Sequence, residues 1–257
     1  MKLALLKTSL IDYPGRVASV AFLPGCNLRC PYCHNPELAL GAGLSELCDW
    51  PSVLEHLERR RGLVTGLVLS GGEPCLRPEL PALAAQVRDA GLRVKLDTNG
   101  TMPEALAAVG ADYVALDLKT SFDRYDELAA PGPKATPAAP TARAVEGSGA
   151  PTSRPGDHGR PGSLGEAVLR SVGVTRGLGC EYEFRITCAP GIFGRAEALA
   201  LLPYLNPADP VALQAYRPGA VLDPSWAAAA IPYTRAELEG LLETIKRAAP
   251  SARLRGL

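Results

Sequence analysis

Cys26, Cys30 and Cys33 stand in the stretch F-L-P-G-C-N-L-R-C-P-Y-C-H-N from Phe22 to Asn35, a C-x3-C-x2-C run at the end of an apolar segment. Three thiolates at this spacing can converge on one inorganic centre. The number three is informative. A cubane iron–sulfur cluster takes four cysteine thiolates and a structural zinc site closes with four ligands, so three cysteines leave one position open to a small-molecule ligand. Two plainer readings stand beside this one: a zinc loop with His34 as fourth ligand, and a set of buried reduced thiols.

Other residues able to do chemistry recur at the ends of apolar runs. Gly71-Gly72-Glu73-Pro74 follows one such run, Asp97-Thr98 and Asp117-Leu118-Lys119 close two more, and Arg185 and Gln214 sit inside the last two. Two adjacent glycines let a backbone approach a ligand closely, and a carboxylate such as Glu73 can accept from an ammonium group. Asp117 and Lys119 fall on one side of their strand because side chains alternate along it. Taken singly, each has an ordinary reading: a strand-to-helix turn at Gly71-Gly72, an Asn-Gly turn at Asn99-Gly100, and an internal Asp117–Lys119 ion pair.

The cysteine spacing, with aromatic Tyr32 directly before the last cysteine, resembles the radical S-adenosylmethionine (SAM) superfamily. The strings Thr8 to Arg16 (T-S-L-I-D-Y-P-G-R) and Cys33 to Glu37 (C-H-N-P-E) are similar to those of the glycyl-radical-enzyme activases, above all the branch that activates anaerobic ribonucleoside-triphosphate reductase. The resemblance implies a [4Fe-4S] cluster on the three cysteines, with S-adenosyl-L-methionine chelating the iron left free. It implies cofactor contacts from Tyr32, from the GGEP element Gly71, Gly72, Glu73 and Pro74, and from Asp117, Lys119, Arg185 and Gln214. A monovalent cation on Asp97, Thr98 and Asp117, with the Ala115 carbonyl, follows from the formate-lyase-activating relatives; those relatives carry a histidine where Gln214 stands. The activity implied is reductive cleavage of S-adenosylmethionine to a 5'-deoxyadenosyl radical that takes a hydrogen atom from a glycine of a partner enzyme, with an electron donor such as flavodoxin or ferredoxin. Alternatives within the superfamily are a pyruvate formate-lyase-type activase and a small-molecule enzyme like 7-carboxy-7-deazaguanine synthase; outside it stands a simple iron–sulfur electron carrier.

These residues need a scaffold, and the hydrophobic pattern supplies one. Apolar runs over 17–23, 63–70, 93–96, 113–118, 182–188 and 211–216 read as strands, and amphipathic stretches over 49–61, 79–90, 103–109, 164–176, 196–204 and 235–248 read as helices. Strands alternating with helices predict an α/β fold with right-handed crossovers and a parallel sheet, in which functional loops gather at the carboxyl ends of the strands. Six such units match the partial (β/α)6 barrel that the resemblance implies. One domain over 1–257 is expected. Residues 131–163, mostly Pro, Gly, Ala, Ser, Thr and charged residues, read as a disordered insertion because they carry too little apolar surface to offset ordering.

Composition removes whole classes of function. Lys and Arg total 27 and Asp and Glu total 27, which gives no basic patch for nucleic acid and no attraction to an anionic membrane. No apolar run approaches the roughly 18 residues of a membrane span, and the first ten residues lack the pattern of a secretory signal. Seven cysteines without a disulfide-like framework fit a reducing compartment, so a cytoplasmic location is expected. Cys48, Cys75, Cys180 and Cys188 show no second ligand spacing and read as reduced thiols; His56, in a charged helix, and His158 read as solvent-facing.

Overall fold

The computed structural model describes residues 1–43, 46–130 and 162–256. A nine-stranded sheet runs through them in the order β3-β1-β2-β4-β5-β6-β7-β8-β9. The strands are β1 (Lys2–Ser9), β2 (Ala18–Leu23), β3 (Cys48–Asp49), β4 (Gly66–Gly71), β5 (Arg93–Thr98), β6 (Tyr113–Asp117), β7 (Glu181–Cys188), β8 (Val211–Ala215) and β9 (Arg253–Arg255). From β2 through β9, leaving out β3, neighbours are parallel and follow chain order, whereas β1 is antiparallel to both β2 and β3.

All six expected strands are present, within three residues of their expected bounds. Three more were not expected: β1, β3 and β9. β3 has two residues and β9 three, too few to show a period, and β1 earns its place by pairing along β2 rather than by its own pattern. Helices α1 (Pro36–Leu40), α2 (Trp50–Arg59), α3 (Leu80–Asp89), α4 (Pro103–Val109), α5 (Leu164–Gly177), α6 (Arg195–Leu201), α7 (Pro224–Ala229) and α8 (Arg235–Lys246) fill the connections. The short α1 and α7 were also not expected. Most of the region read as an insertion lies outside the described residues, but Gly162 and Ser163 belong to the scaffold: the Ser163 side chain caps α5 by accepting from the Glu166 N–H.

Period-two alternation along the parallel strands makes two different faces. Leu67, Leu69, Val94, Leu96, Val114, Leu116, Phe184, Ile186, Val211 and Leu213 turn outward and are buried in the main core with residues of the helices. The inward face is apolar at one end only, where Tyr13, Ala18, Val20, Val68, Tyr113 and Ala115 form a plug. Above it the lumen turns polar, with Lys95 and Asp97 from β5, Asp117 from β6, Glu183, Arg185 and Thr187 from β7 and Gln214 from β8. No helix of the described residues is long and apolar enough to cross a membrane.

His56 corrects one expectation. It is buried, and its Nε2 lies 3.1 Å from the Lys7 carbonyl and 3.2 Å from the Ser19 hydroxyl. It was expected to face solvent because its helix is rich in charge, but β1, unseen in the sequence, packs against this part of α2. His158 lies outside the described residues.

Candidate functional site

A cavity of about 460 Å³ opens at the carboxyl ends of the strands, within the size range of small-molecule sites, and Cys26, Cys30 and Cys33 are all on its wall. The loop that carries them is held from four sides. Gly25 and Cys26 donate backbone N–H bonds to Leu38 and Ala39 of α1, and Arg29 donates to the Leu128 carbonyl. Leu222 and Asp223 donate to the carbonyls of Cys33 and Pro31. The fourth side is the Gly71-Gly72-Glu73 turn, where Gly72 and Glu73 donate to the carbonyls of Leu23 and Gly25 at 2.9 and 2.8 Å.

That turn explains its own glycines. A Cβ on Gly71 would strike the Leu23 backbone and one on Gly72 the Gly25 carbonyl, both well inside van der Waals contact, and Gly71 also has φ +130°. Both residues line the cavity, but the close approach that excludes a side chain is to the cysteine loop itself. Replacing Gly72 by Ala is therefore expected to destabilise the metal-free protein by about 1–3 kcal/mol, the range for overpacking a filled site. Differential scanning calorimetry checks this, and an unchanged midpoint would rule out the close contact.

Glu73 and Pro74 stand behind the wall rather than on it. Glu73 is 1% exposed, and its carboxylate accepts from the N–H groups of Cys75 (2.9 Å) and Asn99 (2.7 Å) and the Thr98 hydroxyl (2.7 Å). Burial pushes its carboxyl up, and those three donors work against the shift. In this geometry the side chain ties the turn after β4 to the end of β5, which differs from the expected contact with a cofactor ammonium.

The lumen holds a chain of alternating charge. Lys95 pairs with Asp97, Arg185 bridges Asp97 (3.2 Å) and Asp117 (2.7 Å), and Lys119 closes on Asp117 at 2.9 Å. Burial by itself would raise the Asp117 carboxyl, but the Arg185 and Lys119 charges outweigh it and hold that carboxyl well below its usual range. The same attraction to Asp117 holds the Lys119 ammonium above its usual range against burial. Three cations and two anions leave this chain with one net positive charge, suited to a ligand carboxylate. The arrangement differs from the expected monovalent-cation site: Arg185 stands between Asp97 and Asp117, and the Thr98 hydroxyl is given to Glu73.

Asp97, Thr98, Asp117, Lys119, Arg185, Gln214 and Tyr32 all line the cavity, as do Gly71 and Gly72. The Gln214 amide donates to the Thr187 hydroxyl at 2.8 Å. The Tyr32 hydroxyl is buried with no hydrogen-bond partner, its ring lying 6.2 Å from that of Trp226. Several wall residues were not singled out: Ser70, Asn99, Thr187, Arg217 and Arg255. Asn99 had a signal, since it follows Asp97-Thr98 directly, but its turn-like dipeptide masked it. Arg255 had none, being in a three-residue strand.

The donor set fits a cluster better than a single ion. Burial raises the Cys26 thiol and pushes Cys30 up to about 11, so ligation must displace protons. Among the described residues no three His, Cys, Asp or Glu side chains converge on one ion-sized position. A cubane, whose cysteines each hold a different iron, needs its thiolates spread apart, whereas the zinc loop would need His34 and the cysteines drawn together. The remaining four cysteines are free thiols, as expected.

The chain is similar to several known proteins. Over 129 residues the chain is 38% identical to a Methanocaldococcus jannaschii protein named, itself by inference, as a glycyl-radical enzyme activating enzyme; the match covers 47% of this chain and 50% of that one. It is 39% identical over 123 residues to the PqqA peptide cyclase of Ruegeria pomeroyi, covering 45% of this chain and 32% of the cyclase. The chain thus spans a third to a half of the length of these curated relatives. The structure of Streptococcus suis SuiB bound to S-adenosylmethionine superposes with a TM-score of 0.56 over 92% of this chain and 52% of SuiB, at 14% identity, which speaks for the fold alone. Residues 20–151, just over half of the chain and the stretch that carries the cysteine loop, the GGEP turn and the Asp117–Lys119 pair, match the radical SAM superfamily. With that match added to three open-ended thiols at the mouth of a partial parallel barrel, the chain belongs to the radical SAM superfamily.

Proposed function

We propose that this radical SAM enzyme is a glycyl-radical-enzyme activase whose partner is an anaerobic ribonucleoside-triphosphate reductase. The observation that carries the activase reading is the 38% identity to the M. jannaschii relative over 129 residues, 47% of this chain. The choice of partner rests on the strings at Thr8 to Arg16 and Cys33 to Glu37, and on Gln214-Ala215-Tyr216-Arg217-Pro218 at the end of β8, where glutamine followed by an aromatic, Arg and Pro resembles the reductase-activating branch.

Cys26, Cys30 and Cys33 would hold a [4Fe-4S] cluster, and the Gly71 and Gly72 backbone, Lys119, Arg185 and Gln214 would hold S-adenosylmethionine beside it. When bound, this pair supplies a low-potential electron and a 5'-deoxyadenosyl radical. The protein's share is placement. Lys119 and Arg185 present positive charge to the carboxylate, and Asp117 fixes both by ion pairs. Leu28, Ala39 and the buried Tyr32 ring furnish the apolar part of the wall and exclude water. His34, Asn35, Arg217 and Gly256 are exposed yet line the cavity, so they form the mouth through which a glycine-bearing loop would reach the reacting carbon.

Co-expression with an anaerobic ribonucleotide reductase, followed by electron paramagnetic resonance, tests the reading. A glycyl-radical signal dependent on this chain and on S-adenosylmethionine is the expected result. Release of 5'-deoxyadenosine with dithionite but no glycyl radical on the reductase would remove that partner, and absence of the radical from a co-expressed formate-lyase-type enzyme as well would remove the activase reading. Peptide modification, suggested by the PqqA peptide cyclase match, would then take its place.

A further inference from the structure

We infer that Asn99 is a positioning residue for the first cluster cysteine, donating an N–H···S hydrogen bond that makes the loaded cluster easier to reduce. The three cysteines are not equivalent in their surroundings. Cys26 Sγ lies 3.4 Å from the Leu28 backbone N–H and 3.7 Å from the Asn99 side-chain amide. Asn99 is 5% exposed, reaches Cys26 from a different strand end, and lines the same cavity.

The amide is not free to turn away. Its Oδ1 accepts from the Thr101 backbone N–H (3.0 Å) and hydroxyl (2.7 Å), which fixes Nδ2 as the side facing the cysteine loop. Nδ2 also donates to the Asn27 Oδ1 at 3.1 Å, and Asn27 in turn donates to the Thr101 hydroxyl at 2.8 Å. The Asn99 backbone N–H is held by the buried Glu73 carboxylate at 2.7 Å. Gly100 follows at φ +76°, in a place where a Cβ would strike Leu116, so the turn has no room to relax. The Gly71-Gly72-Glu73 turn therefore reaches the cluster site through Asn99 as well as along the backbone.

A thiolate is a stronger acceptor than a thiol because the bond becomes charge-assisted. Hydrogen bonds to cluster sulfurs are among the factors that set the reduction potential, and outer partners of ligands commonly orient them. Withdrawing negative charge from the Cys26 sulfur stabilises the form that has gained an electron, so the bond raises the potential.

Asn99→Leu tests this, because it removes the amide donor at nearly constant volume and adds no charge beside the cysteine sulfur. Asn27→Ala is the control, since it breaks the same loop-to-turn network without touching the bond to sulfur. Each variant is reconstituted anaerobically with iron and sulfide, checked for four irons, and titrated with dithionite while the reduced cluster is followed by electron paramagnetic resonance. The midpoint of Asn99→Leu is expected to move to more negative potential, and its electron–nuclear double resonance spectrum in H2O is expected to lack one of the proton couplings that D2O removes from wild type. Asn27→Ala should keep both the wild-type midpoint and that coupling. A wild-type midpoint and coupling in Asn99→Leu, or an equal shift in Asn27→Ala, would overturn the assignment.

Discussion

Cys30→Ala is expected to reduce bound iron after anaerobic reconstitution to background and to abolish formation of 5'-deoxyadenosine. Cys30 is the most enclosed of the three ligands, 8% exposed in a small apolar cluster with Leu28, Tyr32, Leu128, Ala189, Tyr216 and Val221. Neither Cys48, Cys75, Cys180 nor Cys188 lines the cavity, so none can take its place. The loss should exceed the roughly 10–100-fold typical of removing a metal's outer-shell partner, because a ligand is lost and the fold supplies no substitute. The metal-free variant should stay folded and melt slightly below the wild-type apoprotein, since alanine fits the apolar pocket but gives up the packing of one buried sulfur. Iron analysis, product assay and calorimetry on the same preparation check all three statements. A variant that still bound four irons would sink the assignment of Cys30.

Asp117→Ala is expected to destabilise the apoprotein by about 3 kcal/mol. The figure sits at the low end of the roughly 3–5 kcal/mol for breaking a buried ion pair, because the cavity leaves the Asp117 side chain 20% exposed. It corresponds to a fall of about 6–12 °C in the melting temperature of a chain this size. The reason is what remains: Arg185 would keep only the weaker 3.2 Å contact to Asp97, and Lys119 would lose its carboxylate. Adding Arg185→Leu should recover part of the loss, since contacting residues couple by roughly 0.5–3 kcal/mol. Simple additivity in that double variant would mean the pair does not act as a pair.

The same carboxylate gives a pH dependence whose sign is fixed. The folded value of Asp117 is depressed below its unfolded value of about 3.9. Its contribution is therefore complete above that unfolded value and is shed as the pH falls through the folded one. Wild type minus Asp117→Ala should show a stability difference that is flat near neutrality and shrinks only in acid. A difference that grew on acidification would contradict the ion-pair account.

The two variants separate what the chain holds from what it is built on. In the proposed function Cys30 concerns the cluster alone, whereas Asp117 pairs with Arg185 and Lys119 in the scaffold and would also orient them toward the cofactor carboxylate. An Asp117 variant therefore needs its loss of cofactor affinity measured at a temperature where it is still folded.

Much of this was legible in the amino-acid sequence because it is local. The spacing of Cys26, Cys30 and Cys33 places three thiols on one loop whatever the tertiary context, and alternating apolar runs fix the strands and their outward faces. Gly71, Gly72, Asp117 and Lys119, far apart in the sequence, line one cavity, since parallel α/β folds bring strand ends together. What depends on pairing between distant segments was not legible. β1 and β9 exist through their neighbours, His56 is buried against Lys7 of β1 and Ser19 of β2, and Arg185 reaches across β6 to pair with Asp97. Glu73 turned inward, and Asn99 met Cys26, through contacts 26 and 73 residues apart in the chain. A sequence states which groups are available and in what local order; which of them satisfy one another, and which are left facing the cavity, is settled only when long-range packing desolvates them and leaves each buried charge and donor to find a partner.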